Sequence, residues 1–155
     1  MRSAPKLIFE TDNFQVITLG NPHLSRTDGG HLIIDPKVPV EDRTKLSPDL
    51  AKELMMLTMV VGEAMKIGLA KNGIDLGRIN YQDNGNWKHE LHIHLYGRAK
   101  GATNQRYGWA LKFPLTAEAF EQEVGQLEPL TDQDIADIQT EIKRLLQTDK
   151  YLAFF

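Results

Sequence analysis

With 155 residues, 41% of them hydrophobic and 25% charged, and a formal charge of -3, the chain has the balance of a soluble globular protein filling one domain. It contains no cysteine, which excludes disulfides, cysteine-ligated zinc, CxxC redox chemistry and thiol nucleophiles. The opening stretch MRSAPKLIFETDNF lacks the apolar core of a signal peptide, and no segment reaches the roughly 20 apolar residues that span a bilayer, so a cytoplasmic protein with no membrane partner is expected.

Leu7 to Glu10 and Phe14 to Leu19 read as two strands joined by a hairpin turn at Thr11-Asp12-Asn13. A polar loop from Asn21 to Gly30 leads into a third strand, His31 to Ile34, ended by Asp35-Pro36. Ser47 has the chemistry of an N-cap and Pro48 suits the first helical position. Leu54, Leu57, Val61 and Ala64 recur at helical spacing, which predicts the longest helix up to about Leu69, before Asn72-Gly73. Met55, Met56, Met59 and Met65 fall on the same helix and read as core packing.

Arg78 to Gln82 and His89 to Tyr96 are predicted as two more strands around a turn of Asp83, Asn84, Gly85 and Asn86. A basic loop and a short apolar run, Trp109 to Phe113, precede two acidic helices. The second is capped at Thr131 and carries Ile135, Ile138, Ile142 and Leu145 at helical spacing. No repeat, low-complexity stretch or linker divides the chain, so residues 1–155 read as one domain, with a core at about 7–98 and a helical extension at 115–155.

Charge is uneven along the chain. From Lys88 to Lys112 the basic residues Lys88, Arg98, Lys100, Arg106 and Lys112 face the single acid Glu90, which suits a small anionic ligand or an ordinary basic surface loop. The overall acidity gives no drive toward nucleic acid. No GxxxxGK[ST] or GxGxxG motif is present, which removes the commonest phosphate-binding loops.

In Glu90-Leu91-His92-Ile93-His94-Leu95-Tyr96 polar and apolar residues alternate, so a strand here would set Glu90, His92 and His94 on one face. Such a face fits chemistry, a metal, or simply solvent. Neutral imidazole is a nucleophile near pH 7 and imidazolium a proton donor, so neighbouring histidines can divide the two tasks of phosphoryl or nucleotidyl transfer. Asn80, Asn84, Gly85 and Asn86 before the histidines, and Arg98 after them, offer donors for phosphate oxygens.

Asn80, Gly85-Asn86 and Leu91-His92-Ile93-His94-Leu95-Tyr96 together resemble the signature of the histidine-triad (HIT) superfamily, an Asn and a Gly-Gln turn followed by His-φ-His-φ-His-φ-φ with φ apolar. Gly30-His31-Leu32-Ile33-Ile34-Asp35-Pro36-Lys37 resembles a second family motif, and the Ser47 helix falls where the family has its long helix. The resemblance covers roughly Leu7 to Arg98. It implies an α+β fold, with an antiparallel sheet of about five strands and the long helix packed on it, and it implies a homodimer; the C-terminal helices are an addition outside the resemblance.

Carried over by position, it also implies roles. His92 attacks the α-phosphorus to form a nucleotidyl-histidine, and His94 protonates the leaving group or binds phosphate. Asn86 and Asn80 serve the phosphate at the Gly85 turn, beside the Arg98 donor already noted, Asn21 reaches the ribose, and His31 buttresses the site. Glu90 stands where the first triad histidine is expected, and Trp87 where a small hydroxyl residue is common. The Glu90 carboxylate either orients His92 by accepting a hydrogen bond or disfavours attack by stabilising imidazolium and repelling phosphate.

The leading expectation is therefore a nucleotide phosphate hydrolase or nucleotidyl transferase with no required cofactor and no metal. Its substrates would be nucleoside phosphate derivatives of the dinucleoside polyphosphate or phosphoramidate type. A HIT-fold nucleotide-binding or interaction protein with weakened catalysis is the alternative. A metal enzyme using Glu90, His92, His94 and His31 as ligands ranks last.

Overall fold

The computed structural model describes residues 4–155. Five antiparallel strands form one sheet: β1 (Lys6–Glu10), β2 (Phe14–Thr18), β3 (His31–Pro36), β4 (Leu76–Gln82) and β5 (Ile93–Ala99), in the spatial order β1-β2-β3-β5-β4. Between β3 and β4 the chain makes the 23-residue helix α1 (Pro48–Ala70) and crosses to the far edge of the sheet. β5 then returns to fill the gap beside β3. Two helices follow, α2 (Ala117–Val124) and α3 (Asp132–Leu145).

The start of α1 is written locally. The Ser47 hydroxyl accepts from the Leu50 N–H, Pro48 occupies the first turn, where its missing N–H costs nothing, and Asp49 meets the positive end of the helix. Leu54, Leu57, Val61, Ala64 and Met65 are buried among Val16, Ile34, Ile93 and Leu95 of the sheet. On its other side α1 packs against α3, whose Ile135, Ile138, Ile142 and Leu145 belong to the same apolar cluster. Met55 and Met59, expected in the core, are instead exposed.

Because strand side chains alternate, the opposite sheet face presents Ile17, Ile33, His94 and Tyr96. Cross-strand register puts Ile17 beside Ile33 and Ile33 beside His94, so an apolar pair borders the histidine. The chain passes close to β5 just before β3. A side chain on Gly29 would collide with the Gly97 carbonyl, and the Gly97 N–H donates to the Gly30 carbonyl at 3.0 Å.

The C-terminal helices are bonded to the β2–β3 loop. Arg26 makes a two-pronged ion pair with the fully buried Asp134, at 2.7 and 3.0 Å. Ser25 Oγ accepts from the Glu128 N–H, and the Arg26 N–H donates to the Glu128 carbonyl. Thr131 and Asp134 close a reciprocal capping box on α3.

Several boundaries differ from expectation. β3 runs on through Pro36, which pairs with Phe14 on one side only, so the missing proline N–H breaks no ladder. β4 begins at Leu76, and Trp109 to Phe113 forms no regular element. The largest change is β5, predicted from His89 but starting at Ile93. β3 pairs with β5 only over His31–Ile34, and the Leu91 N–H donates to Val40 at 2.8 Å, so residues 83–92 form a connecting loop. Among the described residues no helix is long and apolar enough to cross a membrane.

Candidate active site

A cavity of about 560 Å³ lies over the His94 face of the sheet. Its floor is Ile17, Ile33, His92, His94 and Tyr96; the 84–88 segment, His23, and Phe113 to Leu115 with Phe120 form its sides. The imidazoles of His92 and His94 are perpendicular, with ring centres 4.7 Å apart.

Hydrogen bonds decide which nitrogen of each ring carries its proton. His92 Nδ1 lies 2.7 Å from the main-chain carbonyl of Glu90. A carbonyl can only accept, so His92 is protonated at Nδ1 and keeps the lone pair of Nε2 free. The His23 main-chain N–H donates to His31 Nδ1 at 3.1 Å, which places the His31 proton on Nε2. His31 Nε2–H in turn donates to His94 Nδ1 at 2.9 Å, so His94 carries its proton on Nε2. One ring offers a lone pair and its neighbour offers a donor.

Burial keeps three of the rings, His31, His94 and His23, neutral. His31 is fully buried, and its pKa is driven well below 6.5 by desolvation first and then by His23, His94 and His92. Burial, followed by the neighbouring His23 and His92, lowers His94 to about 3. Burial and His92 lower His23 to about 4. Desolvation also pushes the Tyr96 phenol up, so it stays protonated beside His23 Nδ1 at 2.9 Å.

His23, His31 and His94 bring ring nitrogens within 4.8 Å of one another, the spacing of a metal site. The hydrogen bonds do not fit one. His31 has its Nδ1 lone pair engaged by a main-chain N–H and its Nε2 protonated, so it has no free pair for a cation. The ligand set foreseen from sequence does not assemble either, because Glu90 lies in the 83–92 loop and is exposed.

The sequence-derived site residues separate into groups. His92, His94, Gly85 and Asn86 line the cavity, with Gly85 at φ +65° turning the 84–88 segment over it. His31 lies beneath as the partner of His94. Glu90 instead is exposed and lines a smaller adjoining cavity with Glu41, Asp42, Asp83 and His89, because the strand that would have aligned it with His94 begins three residues later. Asn21 is half-buried outside the cavity lining.

Asn80 and Arg98 serve the scaffold. The Arg98 guanidinium donates to Asn80 Oδ1 at 2.7 Å and to the carbonyls of Arg106 and Trp109 at 2.9 and 2.8 Å. Nor does the basic stretch converge on the cavity: Lys100 pairs with Asp75, and of its cations only Lys88 lines the wall, bonded to Asp35 at 3.0 Å. Sequence reasoning missed His23, Asp35, Phe113 and Phe120 as wall residues. His23 sits in a loop with no periodicity to mark it. A histidine two residues after Asn21, in the loop leading to a histidine strand, was the only available signal.

The chain matches the HIT domain family over residues 3–101. No curated protein matches it. Among solved structures it resembles a histidine triad protein from Sinorhizobium meliloti 1021, at 20% identity over 90% of this chain and 88% of that one, with a TM-score of 0.61. A zinc-bound histidine triad family protein from Mycobacterium smegmatis matches at 17% identity, 92% and 87% coverage and a TM-score of 0.59. A hypothetical histidine triad nucleotide-binding protein from Sulfolobus tokodaii strain 7 matches at 16%, 94% and 88%, with 0.58. This chain belongs to the HIT family, a superfamily of nucleotide-binding hydrolases and transferases, and has its α+β fold.

The unfolded chain protonates its histidines near pH 6.5, whereas folded His94 and His23 wait until about 3 and 4. Between those values the unfolded state holds more protons, so stability is complete above about 6.5 and falls as pH drops. By pH 5 the loss is on the order of 2 kcal/mol for each imidazole held neutral. Urea unfolding at pH 7 and pH 5 should show this loss, and His94→Asn should remove its share; equal stability at both pH values would contradict it.

Since the Glu90 carbonyl and not its carboxylate accepts from His92 Nδ1, Glu90→Ala should leave the Nδ1–H tautomer of His92 in place, read by imidazole nitrogen chemical shifts; a change of tautomer in the variant would return the orienting role to the carboxylate.

Proposed function

We propose that the chain is a nucleotide phosphate hydrolase or nucleotidyl transferase in which His92 becomes transiently nucleotidylated and no cofactor takes part. The observation that carries this reading is the hydrogen bonding of the two rings, His92 Nδ1 on the Glu90 carbonyl and His94 Nδ1 on His31 Nε2, which in neutral rings sets a free Nε2 lone pair beside an Nε2–H donor. The substrate is a nucleoside phosphate derivative of the phosphoramidate or dinucleoside polyphosphate type.

His92 Nε2 attacks the α-phosphorus, forming a P–N bond as the bond to the leaving group breaks. The leaving group departs with that bonding pair and takes a proton from water. Nδ1–H keeps its bond to the Glu90 carbonyl and stabilises the positive charge that the ring acquires. A neutral His94 with no proton to spare acts as a fixed hydrogen-bond donor to a phosphate oxygen, stabilising charge that grows in the transition state. Water then attacks the same phosphorus, the P–N bond breaks, Nε2 recovers its lone pair and the proton from water passes to solvent.

His92→Asn should reduce kcat by at least about a thousandfold while shifting the melting temperature only a few degrees. Rapid quenching of the wild-type protein with an adenosine phosphoramidate should yield an acid-labile nucleoside monophosphate adduct on His92, seen by mass spectrometry and absent from the variant. Turnover that survives in His92→Asn would overturn the assignment.

The same reading includes a homodimer. β4 is a sheet edge, paired with β5 on one side and with no strand on the other within the described chain; its Tyr81 is 48% exposed, and on α1 Met55 and Met59 are exposed as well. Two copies joined antiparallel along β4 would pair these edges and cover the apolar groups. Sedimentation equilibrium should give a dimer, and Tyr81→Arg should weaken it at least tenfold; a monomeric wild-type protein at micromolar concentration would exclude it.

A further inference from the structure

His31 and His94 meet through a hydrogen bond that either ring could donate. His31 Nε2 and His94 Nδ1 lie 2.9 Å apart, and two neutral imidazoles share one proton there equally well with the donor on either side. If His31 donates, His94 turns an N–H toward the cavity; if His94 donates, it turns a lone pair. Among the described residues the group that separates the two patterns is the His23 main-chain N–H, 3.1 Å from His31 Nδ1. A lone pair on Nδ1 accepts this donor, whereas a proton there would face it and leave both buried donors unmade.

The segment that carries this N–H has few ties of its own. From Leu19 to Leu24, the hydrogen bonds among the described residues are those of His23 alone, its main chain to His31 and its ring to the Tyr96 phenol. The ring contact anchors the side chain and leaves the peptide free to turn about the bonds of that same side chain.

Firm attachment begins two residues further on. Ser25 Oγ accepts from the Glu128 N–H at 3.0 Å, the Arg26 N–H donates to the Glu128 carbonyl at 2.9 Å, and the Arg26 guanidinium forks onto Asp134 at 2.7 and 3.0 Å. Asp134 is fixed in turn. Its carboxylate is fully buried and accepts from the Thr131 N–H at 2.8 Å, at the start of a helix whose Ile138 and Ile142 are buried in the core. A two-pronged guanidinium–carboxylate contact holds an angle as well as a distance, so it sets the direction in which the chain runs back from Arg26 to His23. Glu128 and Asp134 both lie beyond residue 101, where the family match ends.

We propose that the Arg26–Asp134 pair aims the His23 N–H at His31 and so selects the pattern in which His94 presents Nε2–H to the cavity, which makes Asp134 a positioning residue of the site. Without the pair the N–H withdraws, the two patterns become nearly equal in energy, and about half of the His94 rings turn a lone pair toward the cavity. Such a ring repels a phosphate oxygen that the other form would hold. The proposal rests on the nucleotidyl-transfer reading only for the effect of that donor on the rate.

Imidazole nitrogen chemical shifts of the full-length protein read the tautomers directly, with no ligand or turnover. In the wild-type protein His31 and His94 should both be Nε2–H. Arg26→Met combined with Asp134→Asn removes both charges at similar size and leaves no buried unpaired carboxylate. In it a tenth or more of His94 should be Nδ1–H, rising toward half. Lys71→Met serves as the control: it breaks another ion pair of the same helix, with the buried Glu141, far along the chain from the loop, and should keep the wild-type tautomers while lowering the melting temperature. Should the double variant fail to fold, Arg26→Lys, which keeps the charge and loses the fork, is read in its place by the same criterion. Less than a tenth of His94 inverted, or equal inversion in Lys71→Met, would overturn the proposal.

Turnover of adenosine phosphoramidate supplies a second arm. Because the His94 donor acts on charge that grows in the transition state, kcat in the double variant should fall by the fraction of His94 that has lost Nε2–H, twofold for half, with KM within the same factor and Lys71→Met unaffected. A wild-type protein that neither turns over nor forms an adduct would defeat the nucleotidyl-transfer reading while the chemical shifts still decide the ion pair. Normal turnover with unchanged tautomers in the double variant would defeat the ion pair alone.

Discussion

A single main-chain N–H, that of His23, sets which nitrogen carries the proton in both His31 and His94. It donates to His31 Nδ1, and everything above it follows from valence: His31 must carry its proton on Nε2, and His94 must accept at Nδ1 and present Nε2–H to the cavity. A side chain could rotate away from this task, whereas a main-chain donor moves only if the loop moves. Full burial of His31 strengthens the constraint, because protonating that ring would strand a charge among apolar groups and leave two donors facing each other at the His23 contact.

The loop that supplies this N–H is itself held from a distance. Arg26, three residues on, is clamped by Asp134 at the start of α3, and Ser25 and Arg26 are bonded to Glu128. α3 in turn packs along α1 with Ile138 and Ile142 fully buried. The acidic C-terminal helices, which carry no motif, thereby bear on the protonation pattern of the histidines. Their contribution is mechanical: they remove the freedom of a polar loop that would otherwise sample many backbone states at a cost of about 1–2 kcal/mol per residue to order.

How much of this was legible in the sequence depended on how local its causes were. The N-cap and spacing of α1, the β1–β2 hairpin and the capping box of α3 are decided within a few residues, and each formed where the pattern placed it. The β5 boundary was misread because Glu90-Leu91-His92 alternates as a strand does; whether such a segment pairs depends on its neighbour, and here Val40 takes the Leu91 N–H. Arg98 and Asn80 were read as phosphate ligands from their place beside the motif. Nothing nearby reveals that three carbonyls, in residues 105–109, need that guanidinium. His23 reaches Tyr96 across 73 positions, a contact no spacing rule encodes.

The departure at Glu90 takes on a different meaning once the main chain is considered. What an attacking imidazole needs from its surroundings is an acceptor at Nδ1, and a carbonyl supplies one whatever side chain its residue bears. With that acceptor on the main chain, the side chain at position 90 is free of the orienting task and faces the acidic neighbours Glu41, Asp42 and Asp83 in the adjoining cavity. A histidine there would be drawn toward its charged form by those carboxylates, and a glutamate adds to their repulsion unless solvent screens it. Residue 90 therefore bears on the site through the electrostatics of the cavity next door, while the orientation of the His92 ring is left to a peptide group that no substitution at that position removes.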